Sequence, residues 1–469
     1  MRAAINVEGV EPPIATLTVN DSARAVRRRD RRALATSVAG ISYRVLDAAT
    51  KLLTIPIAAR CLGIEQYGIW LTANSLLSLL MVSDFGIGSG LLNAVGAARA
   101  RGDDWEVRSL TATAYLAFAV LAVALLLGVT FLSHSTLLVH WLGIESKPQL
   151  IPQAKQCFTL LGYLVSTAAA LNVINFFALA LQEGYLEYLA QIAASVSTVV
   201  LILTVRTHSM AVFALITSLP IIVAYLLLTT GLFGFRYRNL IPTFRGINAR
   251  CFKLIWQDSS RLLLAQIADT VIAFTSNILV ASQLGAAHVP EVSVSLQAMM
   301  VCSFVCCMFL LPLWPAYVEA RVVGDWKWIR AALRTGILRS MSIIILVTSV
   351  YALVYKVFIH TWSAQLPIPP LSFVLYLDGW FLLYVWNKNF MVFLNGLGYT
   401  RVRAWAAPIS AVVFVLSVRL LMPHFGVSAV GLGGIISAVA EAAITNTWSF
   451  AVLSSNSRKW DAGIEVPSV

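Results

Sequence analysis

The feature that most limits what this chain can become is a succession of twelve apolar stretches, each long enough to cross a bilayer as a helix. They cover approximately 37–60, 67–96, 109–133, 157–182, 186–206, 210–234, 257–284, 291–318, 333–359, 371–396, 402–421 and 429–454. Backbone amides in hydrocarbon must be satisfied within the segment, so stretches of this length predict helices rather than open strands or loops. The expected fold is an all-α polytopic membrane protein of about 12 transmembrane helices. Only 12% of residues are charged, against about 25% in soluble domains. The net charge of +12 does not point to nucleic acid, because the basic residues fall in short connections between apolar segments.

Those connections also orient the chain. With the N-terminal arm placed in the cytoplasm, the cytoplasmic connections carry Arg99, Arg101, Arg108, Arg236, Arg238, Arg245, Arg250, Lys253, Arg321, Lys327, Arg330, Arg334, Arg401 and Arg403. The opposite connections hold only Arg60, Lys147, Lys155, Arg206 and Arg419. The positive-inside bias predicts both termini in the cytoplasm of a multi-pass inner-membrane protein. Residues 1–34, ending in a run of arginines, read as a disordered cytoplasmic arm. Residues 35–235 form an N-terminal six-helix lobe, 236–256 a cytoplasmic linker, 257–455 a C-terminal six-helix lobe, and 456–469 a tail.

The division into lobes rests on an internal repeat. With an offset of 222 residues, Asp47 falls on Asp269, Leu62-Gly63 on Leu284-Gly285, Arg99 on Arg321, Gly102-Asp103 on Gly324-Asp325, and Arg108 on Arg330, without a gap. A second match, at offset 214, sets 176–185 against 390–399. Six spans per half make the repeats parallel, around an axis along the membrane normal. Two such lobes around a central cavity suit alternating access better than a channel or an enzyme.

The first span places Arg44, Asp47 and Lys51 along one helical face. A charge near the bilayer centre costs roughly 2.5–3.5 kcal/mol, so three on one face predict a water-filled interior. Among the other charges within the spans, Asp84, Arg261, Asp269, Lys388 and Glu441 are the candidates, with Asp47, Asp84 and Asp269 placed near mid-bilayer by residue counting. Helical periodicity directs Asn387, Lys388 and Asn389 to different faces. Tyr43, Tyr376, Tyr384 and Trp386 lie deep, whereas Trp70, Trp256, Trp314, Trp326, Trp328 and Trp362 mark span ends. Glycines 86, 88 and 90 and prolines 56, 312 and 315 are candidate bends. The six cysteines and six histidines lack metal-ligand spacing, so neither a metal nor another cofactor is expected.

The segment 60–103, RCLGIEQYGIWLTANSLLSLLMVSDFGIGSGLLNAVGAARARGD, resembles the N-terminal signature of Wzx-type polysaccharide flippases of the multidrug/oligosaccharidyl-lipid/polysaccharide exporter superfamily. Leu62, Gly63, Tyr67, Gly68 and Trp70 match its first motif; Asp84, Gly86 and Gly88 match its second. The resemblance implies two six-helix lobes in a V. It also implies transfer of undecaprenyl-diphosphate-linked oligosaccharide between leaflets for surface polysaccharide such as lipopolysaccharide or exopolysaccharide. On that reading Arg44, Lys51, Arg261 and Lys388 bind the anionic substrate, and Asp47, Asp84, Asp269 and Glu441 balance charge or couple an ion. Partners would be the lipid-linked oligosaccharide, the bilayer, and a polysaccharide polymerase or other assembly proteins. A cation-coupled drug antiporter and a membrane-embedded polysaccharide-assembly enzyme remain alternatives. The first expects a lumen poor in cations, and a polymerase expects a large external loop.

Overall fold

The computed structural model describes residues 19–81, 87–308, 310, 313–362 and 366–461. Every regular element among them is helical. In chain order these are α1 (Val19–Leu62), α2 (Ile64–Met81), α3 (Ile87–Ala100), α4 (Asp104–His134), α5 (Thr136–Trp141), α6 (Ile151–Leu171), α7 (Val173–Ala180), α8 (Gly184–Val205) and α9 (Met210–Gly231), followed by α10 (Ala249–Leu284), α11 (Val289–Met308), α12 (Leu313–Val323), α13 (Trp326–Trp362), α14 (Leu371–Gly396), α15 (Thr400–Phe425) and α16 (Ser428–Asp461). Eight helical segments are long and apolar enough to cross a membrane. The other expected crossings are α1 and α14, which carry charge, and the pairs α2–α3 and α11–α12. Exposed leucine, valine and phenylalanine side chains such as Leu127, Phe131, Leu227, Leu353 and Leu420 give these helices apolar outer faces.

Three boundaries differ from the sequence expectation. Helix α1 begins at Val19, inside the arm read as disordered, because its alanines and arginines are strong helix formers with no breaker among them. Helix α10 begins at Ala249, within the expected linker, where the Asn248 side chain accepts a hydrogen bond from the Arg250 amide. Helix α16 runs on to Asp461, past the expected start of the tail.

The repeat is visible bond by bond. Gly102 and Gly324 have φ of 74° and 79°. Asp103 N–H donates to the Ala98 carbonyl at 3.1 Å, and Asp325 N–H to the Ala320 carbonyl at 2.9 Å. Each aspartate then accepts from the amide three residues on, Asp103 from Glu106 and Asp325 from Trp328, capping α4 and α13. Gly63 and Gly285, with φ of 83° and 95°, end α1 and α10 alike. The helix contacts repeat too: α1 packs on α8 as α10 does on α15, α6 on α9 as α14 on α16, and α4 on α6 as α13 on α14.

The second match needs a correction. At the turns before α8 and α15, Gln182 and Gly398 share positive φ (59° and 84°), Glu183 N–H bonds the Ala178 carbonyl, and Tyr399 N–H bonds the Leu394 carbonyl. The structural offset is therefore 216 residues, not 214. The shared Gly-Tyr dipeptides drew the sequence register two residues out of phase.

At one end the two lobes share a core. Residues 55–77, 129–161 and 202–216 of the first lobe share one continuous apolar core with residues 278–299, 351–381 and 414–438 of the second. Toward the Gly102 and Gly324 turns the cores part: one is centred on Leu91, Phe118 and Phe177, the other on Tyr317, Ile329 and Phe393. The joint is made by backbone contact. A Cβ on Gly68 would lie 1.8 Å from the Ala286 carbonyl oxygen, and one on Gly143 equally close to that of Ala281. Beside it, the buried Asn277 donates to Ser75 Oγ and accepts from Ser293, both at 2.9 Å.

At the opposite end the connection between lobes is fastened to the first. The carboxylate of buried Glu183 holds Arg236 at 2.8 Å and the Tyr237 hydroxyl at 3.0 Å. Asn239 donates to Asp104, and the Asn248 amide donates to Thr113. Cys251 and Ile255, at the start of α10, belong to the first lobe's core.

Replacing Gly68 by valine is expected to destabilise the joint by about 1–3 kcal/mol, the usual penalty for overpacking. Gly128→Val, at a position with open space around it, should leave the melting temperature of the solubilised protein nearly unchanged, and a thermal melt of both variants makes the comparison.

Candidate functional site: two charged centres at one level

In the first lobe the charged face of α1 meets α8. A Cβ on Gly40 would sit 3.0 Å from the Tyr188 ring, and one on Gly184 2.9 Å from Thr36, so the two helices run close. The rings of Tyr43 and Tyr188 stack at 6.1 Å. Lys51 Nζ pairs with Asp47 one turn earlier at 2.8 Å. Arg44 is exposed and acts electrostatically on Glu187 of α8, which is buried and takes a hydrogen bond from Gln191. Glu187 Oε2 has no hydrogen-bond partner among the described residues. Nearby on α7, buried Asn175 donates to Asn172 at 2.7 Å.

The second lobe carries the matching centre. Asp269 of α10 forms an ion pair with Arg403 of α15. Lys388 of α14 sits 4.8 Å from the Tyr384 ring centroid and feels Asp269, Arg403 and Glu441 of α16. Asn387 donates to the Ala438 carbonyl at 2.9 Å and approaches Glu441 at 3.5 Å, whereas Asn389 turns to Ser340 of α13. The three neighbours therefore serve three directions, as helical periodicity requires.

The structure thus gathers Arg44, Asp47 and Lys51 in one centre and Asp269, Lys388 and Glu441 in the other. Asp84 lies outside the described residues, as does the side chain of Arg261. Sequence reading missed Glu187 altogether and assigned Arg403 to a connection. The corrected register would have found both, since an offset of 216 sets Glu187 on Arg403. It also missed the role of Asp378, buried on α14 with Oδ1 unpartnered among the described residues. Depth needs revising as well. Glu187 and Arg403 each lie three residues into their helices, and Lys388 is eight residues, about 12 Å, from the end of α14. Both centres sit toward the Gly102/Gly324 end, where the lobes part.

The flippase-like motif has a different task. Tyr67 is fully buried, its ring stacks on Trp70 at 5.9 Å, and Trp70 meets Phe213 edge-on at 5.0 Å. Together with Gly68 these residues build the joint between lobes. Among the described residues no three His, Cys, Asp or Glu side chains converge as metal ligands.

This arrangement has solved counterparts. A multidrug resistance MATE family transporter of the MOP superfamily in its inward-facing conformation superposes with a TM-score of 0.69 over 88% of this chain and 99% of that one, at 16% identity. The chain has the fold of a MOP-superfamily transporter. The outward-facing conformation of such a transporter gives a TM-score of 0.56 over 92% of this chain and 96% of that one, at 15% identity. Two curated proteins, from Salmonella typhimurium and Salmonella typhi and each named "Putative O-antigen transporter", are 22% and 24% identical to the chain. They match over 85% and 84% of its length and over 92% and 90% of their own. The resemblance read from residues 60–103 therefore extends over most of the chain. No family model matches it.

A double-mutant cycle on Asp269→Ala and Arg403→Ala is expected to give a coupling energy of about 0.6–1.7 kcal/mol, the range of polar pairs between membrane helices, measured as unfolding free energy in mixed micelles. Additive losses would mean that the pair contributes nothing.

Proposed function

We propose that the chain moves a diphosphate-linked, lipid-anchored oligosaccharide across the inner membrane by alternating access, for assembly of a surface polysaccharide. The observation that carries this reading is a cationic first-lobe wall in a chain whose sequence matches relatives named "Putative O-antigen transporter" over most of their length. Arg44 is exposed and Lys51 keeps 62% of its side-chain surface. Arginine offers a planar fork to phosphate oxygens and lysine a mobile point charge. A cation exporter would place carboxylates there instead.

The joined core at the Gly63 end and the parted cores at the Gly102 end support a state open to one side. The charge bias of the connections makes that side the cytoplasm, where a lipid-linked oligosaccharide would load. Release on the far side requires the Gly68–Ala286 joint to open and the parted cores to meet. Such a cycle needs no chemical step in this chain, and polymerisation of the transferred units falls to a separate protein.

Arg44→Ala and Lys51→Ala should each lower surface polysaccharide by about tenfold or more in a host lacking its own flippase, since a hydrogen bond to a charged group contributes about 1.5–3 kcal/mol. Membrane abundance of each variant is measured in parallel; full export by both at normal abundance refutes the cationic-wall reading.

A further inference from the structure

The two centres occupy corresponding levels of the repeat, yet they turn opposite signs outward. Asp47 and Asp269 match at offset 222, and Glu187 and Arg403 match at offset 216, so equivalent helix pairs, α1 with α8 and α10 with α15, carry these four residues, while Lys388 and Glu441 join the second centre from α14 and α16. In the first lobe the anion is innermost: Glu187 is buried, while Arg44 is exposed and Lys51 stands further out than Asp47, 62% against 30%. In the second lobe Lys388 and Glu441 lie innermost together. Lys388 is wedged among Tyr384, Glu441 and Asp269, and Arg403 retains 21% of its side-chain surface, whereas Asp269 in front of it retains 48%. Each centre holds two cations and two anions, so both are neutral in sum, and what differs is the sign turned outward. The shared register sets the two at one level, one in each lobe.

An outward carboxylate has a defined chemistry. It accepts hydrogen bonds from sugar hydroxyl, amide or ammonium groups, and it repels another carboxylate. Discrimination by an unfavourable contact of this kind is a general route to specificity. Resting on the diphosphate reading above, we propose that the cavity is bipolar. The first lobe holds the diphosphate through Arg44 and Lys51, and Asp269 on the second lobe selects a glycan whose proximal sugars are non-acidic. Asp269 is then a specificity determinant, and Arg403 positions it: the guanidinium fixes the carboxylate while leaving its outer edge free to accept hydrogen bonds.

The test uses the full chain in nanodiscs of uncharged lipid, with four probes on one polyprenyl chain: the diphosphate-linked N-acetylglucosamine, the diphosphate-linked glucuronic acid, the methyl ester of the latter, and the free polyprenol. The wild-type chain should bind the N-acetylglucosamine lipid roughly tenfold more tightly than the glucuronic acid lipid, the ratio a modest like-charge contact produces. The methyl ester, its charge removed, should regain most of that ratio without any mutation. Asp269→Asn should collapse the ratio and Asp269→Glu should keep it. Equal binding of the acidic and N-acetylglucosamine lipids, an ester that binds no better than the acid, or a ratio that survives Asp269→Asn overturns the inference while leaving the diphosphate reading intact. If neither diphosphate lipid binds better than the polyprenol, the diphosphate reading and this inference fall together.

Discussion

The contact on which the rest of this structure depends is that of two glycines with two carbonyl oxygens. Gly68 and Gly143 let the backbones of the first lobe close onto the Ala286 and Ala281 carbonyls at the end of α10, with no room for a side chain. That approach fuses the apolar interiors of both lobes at one end. Within hydrocarbon there is little hydrophobic drive to bring helices together, so close backbone approach and buried hydrogen bonds supply the association. The Ser75–Asn277–Ser293 chain is such a set of bonds. With the lobes pinned there, and with separate cores at the other end, the two charged centres lie on the side where the cores part.

Much of the fold was legible in the sequence, for a physical reason. Hydrocarbon tolerates only satisfied backbones, so apolar length reports helices directly, and the Gly-Asp turns at 102 and 324 repeat because each needs a left-handed residue followed by a cap. The register of the second match was harder. A Gly-Tyr dipeptide is conspicuous in sequence, but the turn is set by whichever residue takes positive φ, and in the first lobe that residue is Gln182 rather than a glycine. With the register two residues out, the equivalence of Glu187 and Arg403 was hidden.

The charged centres were legible only in part. Arg44, Asp47 and Lys51 stood out because they interrupt an apolar run. Arg403 did not, because it lies three residues from a helix start and looked like any interfacial arginine. Its length lets it reach back to Asp269, in the way that long cationic side chains usually reach outward to water. Charge order was not legible at all. Composition assigns each lobe the same two cations and two anions, and only burial decides which sign is turned outward.

Helix α10 has an unusual mechanical position. Its first turns, Cys251 and Ile255, lie in the core of the first lobe, its middle pairs with α15 of the second, and its end abuts Gly68 and Gly143 of the first again. It behaves as a connecting rod pinned to one body at both tips and loaded by the other at its midpoint. A relative rotation of the lobes cannot leave it straight and all three attachments intact. The bending load falls on the stretch around Asp269, whose ion pair with Arg403 ties the rod to the second lobe.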